Sequence, residues 1–127
     1  MKTIFEATIL GNPMVKKNSQ KVAIRGRRPI KYNTPQYTAW HKTAVTQLWQ
    51  YKDRPRGLDE PLILKCLFYM QTNRRVDLSA LYEGIQDILV EIGVIEDDYF
   101  KIIIGHDGSR VLVDPKNPRL EFQLITQ

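Results

Sequence analysis

Cysteine and histidine are nearly missing from this sequence. Cys66 stands alone, and His41 and His106 are the only histidines among 127 residues. A single thiol excludes an internal disulfide and suits a reducing compartment. Lying inside LILKCLFYM, it reads as a buried core thiol. One thiol and two distant imidazoles leave too few ligands for a structural zinc. No apolar run approaches the ~20 residues of a membrane-spanning helix. The opening residues, MKTIFEATILGN, are too short and too acidic in their middle for a secretion signal, and read as a strand. These absences predict a cytoplasmic protein without membrane contact.

Acids are also missing, but only from one stretch. Between Ala7 and Lys52 stand nine bases (Lys16, Lys17, Lys21, Arg25, Arg27, Arg28, Lys31, Lys42 and Lys52) and no Asp or Glu. The rest of the chain holds ten bases against all fourteen acids, so the net charge of +5 hides a basic segment and an acidic remainder. That division suits a polyanionic partner together with something that tolerates clustered carboxylates. Nucleic acid and a divalent cation satisfy both. A soluble basic protein with a solvated loop fits the composition equally well.

The length allows one domain, residues 1–127, and no repeat or low-complexity tract divides it. Residues 3–10 read as a first strand, broken by Gly11 and Pro13. Residues 21–33 read as a basic hairpin around Gly26. Thr34 followed by Pro35 starts a helix that runs to about Lys52, with Tyr37, Trp40, His41, Ala44, Val45 and Leu48 along one side. On that side His41 reads as a packed histidine before it reads as a ligand. Residues 61–70 are nearly all apolar and predict a central strand.

A second helix begins near Asp77 or Ser79 and stops at Gly93. At about 100° per residue, Leu78, Leu81, Tyr82, Ile85, Ile88, Leu89 and Ile92 share one arc, and Ser79, Glu83 and Asp87 line up opposite. Residues 99–105 read as a third strand, 106–118 as a loop and 119–126 as a closing strand. Strand, helix and strand over 61–105 have the length and order of a β-α-β unit. The class is α/β or α+β, a small mixed sheet of about four strands with two main helices.

The acids around the second helix have ordinary explanations one at a time. Asp77 caps the helix, Glu83 and Asp87 are its wet face, and Asp97 and Asp98 are loop charges. Together they are harder to dismiss, because adjacent carboxylates repel and something must offset that. Mg²⁺ does so, taking one or two carboxylates plus phosphate oxygens. Bound there, it polarises a phosphodiester and activates water. Arg74 and Arg75, just upstream, suit phosphate contacts.

With its basic NRRVD, its apolar helix bearing an Asp at 87, its GVIEDD and its N-terminal GNPMVKKN, the chain resembles the RusA family of Holliday-junction resolvases. The likeness covers nearly the whole sequence. Asp77 matches the first Asp of that family's Asp-Leu-Asp-Asn segment, and Asp97 and Asp98 match its final Asp pair. Ser79 stands where the second Asp is expected, Ala80 where the Asn is, and Glu83 where a catalytic Lys is. One acid is lost and another gained four residues on, where side chains on a helix are neighbours.

The resemblance implies a Mg²⁺-dependent endodeoxyribonuclease, with Mn²⁺ able to substitute and no small-molecule cofactor, encoded by a bacterium or phage. Asp77, Glu83 and Asp98 would be catalytic and would bind metal with Asp97. Lys16, Lys17, Lys21, Arg25, Arg27, Arg28, Arg74 and Arg75 would contact phosphates of branched DNA, a four-way junction, without reading sequence. The two-fold symmetry of that substrate implies a homodimer. A protein of the same fold that binds junctions without cutting them is the alternative. A helix from Leu78 to Ile92 is about 22 Å long, so Asp77 and Asp98 share an ion only if the chain doubles back. Otherwise two subunits combine their acids, and the implied dimer makes that shared site the expectation.

Overall fold

In the computed structural model, which describes residues 1–15, 20–25 and 28–127, the elements run β1 (Lys2–Leu10), β2 (Gln20–Arg25), β3 (Arg28–Asn33), α1 (Pro35–Trp49), β4 (Leu62–Met70), α2 (Leu78–Glu91), β5 (Ile103–Gly105), β6 (Arg110–Val113) and β7 (Arg119–Thr126). Side chains are described for residues 1–15 and 34–127. The class is mixed α+β, with a five-stranded sheet and two helices.

The sheet order is β1-β7-β4, with β5 and β6 both beside β4. Strand β7 is antiparallel to both its neighbours, whereas β5 and β6 are parallel to β4. The β4–α2–β5 crossover is the β-α-β unit that segment length predicts. Alternation decides which side chains go inward: Phe5, Ala7 and Ile9 of β1, Leu62, Leu64, Cys66 and Phe68 of β4, and Leu120, Phe122 and Leu124 of β7 are all buried. They form one core with Tyr37, Trp40, Ala44 and Leu48 of α1 and Leu81, Ile85, Ile88 and Leu89 of α2. Cys66 is fully buried, which pushes its thiol far above the ordinary range.

The edge at β5 and β6 departs from the sequence reading. Strand β6 lies within the segment 106–118 expected to be loop. Its four residues face mostly outward and show no buried alternation. With β5 it forms two halves of one edge, pairing respectively with Leu67–Met70 and with Leu62 and Ile63. Between the halves the Cys66 amide donates to Ser109 Oγ (2.9 Å), which replaces a strand partner. The strand expected over 99–105 starts only at Ile103, because the Ile102 and Ile103 amides donate to the Tyr99 carbonyl (2.9 and 3.0 Å) and make a turn. Helix α1 ends at Trp49, short of Lys52, where the Arg54 guanidinium donates to the carbonyls of Trp49 (3.1 Å) and Tyr51 (3.0 Å).

The free side of β1 is covered near its end by α1 and by Tyr51 just after it. The Leu10 amide donates to Gln47 Oε1 (2.7 Å), Gln47 Nε2 donates back to the Leu10 carbonyl (2.9 Å), and the Thr8 amide donates to the Tyr51 hydroxyl (3.0 Å). Side chains thus satisfy backbone groups that would otherwise invite another strand. The expected basic hairpin is present as a separate two-stranded sheet, β2 antiparallel to β3, with Arg25 opposite Arg28.

Candidate metal and nucleic-acid site

The head of α2 is built by a cap. Asp77 is extended, and its Oδ1 accepts from the Ser79 amide (3.1 Å) and the Ser79 hydroxyl (2.8 Å). This satisfies an orphan amide of the first turn. Ser79, which stands where the resemblance puts an acid, is therefore half of the cap. Arg74 and Arg75 precede it, exposed, in a groove of about 290 Å³ shared with Asn12, Met14, Met70 and Thr72. Asn12 Oδ1 accepts from the Gln71 amide (2.8 Å) and ties that groove together. Neither arginine enters an ion pair among the described residues.

Past the other end of α2 the chain turns back. Gly93 has φ 78°, a conformation that glycine adopts without strain. Val94 and Ile95 then bury themselves, and their amides donate to the Leu89 carbonyl (3.0 and 3.4 Å). The Gly57 amide donates to the Gly93 carbonyl (2.7 Å) and the Glu96 amide to the Leu58 carbonyl (2.9 Å), clamping the return from outside. Asp97 Oδ1 accepts from the Asp98 amide (2.8 Å), so Asp97 shapes the turn. Asp98 arrives beside α2, where Gln86 Nε2 donates to its Oδ2 (3.4 Å). Gln86 Oε1 pairs with His106 Nε2 (2.6 Å), and the His106 ring stacks on Tyr82 at 3.8 Å and 8°. Burial holds the His106 pKa below the ordinary imidazole range, with Asp107 opposing.

Asp98 lines a cleft of about 510 Å³ between α1 and α2, together with Tyr37, His41, Lys42, Asp87 and Glu91. His41 Nε2 and Glu91 Oε2 are 2.8 Å apart. Burial first, then the negative charge of Asp87 and Glu91, pushes the Tyr37 phenol up to about 12. Sequence reasoning placed Tyr37 and His41 on the packed side of α1 and did not assign Asp87 or Glu91 to the site. The available signal was the pair of i, i+4 spacings, 37 and 41 on one helix and 87 and 91 on the other.

The structure therefore places Asp98 in a cleft that Asp87 also lines, and leaves Asp77 apart. Gln86, the residue that Asp98 touches, lies nine positions after Asp77 along α2, or about 14 Å. The chain doubles back, but only part of the way. Glu83 is exposed one turn before Asp87. Among the described residues no three His, Cys, Asp or Glu side chains are grouped to hold a metal ion. The four-acid set Asp77, Glu83, Asp97 and Asp98 is thus not assembled within one chain. The donor set that the cleft does gather, Asp87 and Asp98, fits the one or two carboxylates by which Mg²⁺ is commonly held when phosphate and water complete its shell.

Of the expected DNA-contacting residues, Lys16, Lys17 and Arg27 lie outside the described residues. Lys21 and Arg25 lie on β2 and Arg28 on β3. Among the described residues no helix is long and apolar enough to cross a membrane. Compared with known families and curated proteins, the chain matches no family model and no curated sequence.

Proposed function

We propose that this protein is a Mg²⁺-dependent endonuclease of branched DNA, acting as a homodimer like the RusA family that it resembles. The observation that carries this reading is the return of Asp98 to the second half of α2, where it shares a cleft with Asp87. These two carboxylates would hold the ion, with Mn²⁺ able to replace it, and Glu83 stands one turn away. The bound ion supplies polarisation of a phosphodiester oxygen and a more acidic water. Asp97 acts on the backbone that presents Asp98, and Asp77 on the helix that presents Asp87.

Arg74 and Arg75 bind phosphate at the other end of the helix. Asp77, just after these arginines, lies about 14 Å along α2 from Gln86, which touches Asp98, so phosphate contact and metal would occupy separate places. Lys42 adds positive charge at the cleft, and Lys16, Lys17, Lys21, Arg25, Arg27 and Arg28 of the basic segment would contact further phosphates.

A second reading is junction binding without cleavage. The lack of a third grouped acid among the described residues favours it. One experiment separates the two: a labelled four-way junction and a linear duplex, each incubated with Mg²⁺, Mn²⁺ or EDTA. Nicks near the branch that need metal are the expected result. Salt-sensitive binding without nicking in either metal supports the second reading against the first. Absence of salt-sensitive binding overturns both.

A further inference from the structure

Asp98 has a single side-chain bond among the described residues, and its donor is held from behind. Gln86 Nε2 reaches Asp98 Oδ2 at 3.4 Å, near the outer limit for a hydrogen bond. The Gln86 oxygen is taken up by His106 Nε2 at 2.6 Å. A carboxylate accepts, so the Gln86 amide nitrogen faces Asp98; its oxygen then faces His106, whose Nε2 donates the hydrogen. The imidazole cannot tilt freely, because its face lies on Tyr82 at 3.8 Å. The turn that carries it is closed by the Ser109 amide donating to the His106 carbonyl (3.0 Å).

Tyr82, His106 and Gln86 thus form a chain of contacts from α2 to the loop after β5 and back, ending on one oxygen of Asp98. The other oxygen is left for the cleft.

We propose that Gln86, locked by His106, is a positioning residue that presents the Asp98 carboxylate to the bound cation. The proposal rests on the metal-dependent reading above. Outer partners of this kind commonly change metal affinity by about 10–100-fold when removed, while leaving the chemistry available once metal saturates.

The test uses Mn²⁺ as probe, its free concentration followed by electron paramagnetic resonance, on the wild-type protein, Gln86→Leu and His106→Phe. The second variant keeps an aromatic ring on Tyr82 and loses only the bond to Gln86. Gln86→Leu should bind Mn²⁺ about 10–100-fold more weakly, and His106→Phe should weaken it less. In both, nicking should recover at saturating metal, and junction binding in EDTA should be unchanged. Equal Mn²⁺ affinity in all three proteins overturns the proposal. So does a loss of nicking in the variants that is the same at every metal concentration. Should Gln86→Leu fail to fold, His106→Phe decides alone. A wild-type protein that nicks junctions but whose variants keep wild-type Mn²⁺ affinity removes only the role of Gln86. A wild-type protein that binds no Mn²⁺ and nicks nothing removes the proposed function as well.

Discussion

The two halves of α2 use similar side chains for opposite purposes. At its head the carboxylate of Asp77 serves backbone amides, and the charges left outward are cationic, Arg74 and Arg75. In its second half the backbone is already satisfied by the helix, so Asp87 and Glu91 face a cleft, and Asp98 is delivered to them from the returning chain. Asp97 repeats the lesson: it is next to Asp98 in sequence but accepts from a backbone amide. What an acid does in this fold follows from whether nearby amides lack partners.

The strongest way to break the comparison is to exchange its effects. Asp98→Asn should lower nicking by at least ~100-fold, a loss of about 2.7 kcal/mol in transition-state stabilisation, with junction binding unchanged. Arg74→Ala with Arg75→Ala should do the reverse. Binding weakens, and its salt dependence flattens by ~0.9 for each phosphate that is no longer neutralised. Quantitative gels across a salt series check both, and a shared defect would mean that the halves are not distinct.

A smaller effect is expected at the cap. Asp77→Ala should cost about 1 kcal/mol of stability, visible as a lower thermal midpoint, while folded protein still nicks. If folded Asp77→Asn is inactive instead, mixing it with Asp98→Asn decides where Asp77 acts. Recovery of nicking on one strand would place it in the partner subunit's centre. Glu83→Ala, next in size, should reduce nicking by less than Asp98→Asn does; wild-type rates would remove Glu83 from the site.

The smallest effect concerns alkaline stability. The Tyr37 phenol keeps its proton in the fold up to about 12, whereas the unfolded chain releases it near 10. Stability therefore falls as pH rises between those values, because the unfolded state ionises first. Urea unfolding across that range should show the fall, and Tyr37→Phe should flatten it.

Much of this architecture could be read from local chemistry. Thr34 with Pro35, and Asp77 with Gly93, fix the helix ends because capping needs only neighbouring residues. Gly11 and Pro13 marked the end of β1, alternation marked β7, and a nearly all-apolar run marked β4. Strand β6 was not legible, since RVLV faces mostly outward and its pairing with β4 joins residues some 43 apart in sequence. Half of the candidate site was legible for the same reason as the helix ends: the stripe Ser79, Glu83 and Asp87 follows from helical spacing. The return of Asp98 was not, because its direction is set by Gly57 and Leu58, distant in sequence. Nor was the cleft, which joins residues 37–42 to 87–98.

The pairing of β1 with β7 has a consequence for how the chain is made. Among the described residues β1 has β7 as its only sheet partner, and more than 100 residues of chain separate the two. At ~5–20 residues per second, β1 waits roughly 6–25 s for β7. During that wait Gln47 of α1 and Tyr51 just after it, translated within a few seconds of β1, are the groups at hand for one of its edges. They act as a built-in chaperone for a strand whose other edge stays open until β7 has been made.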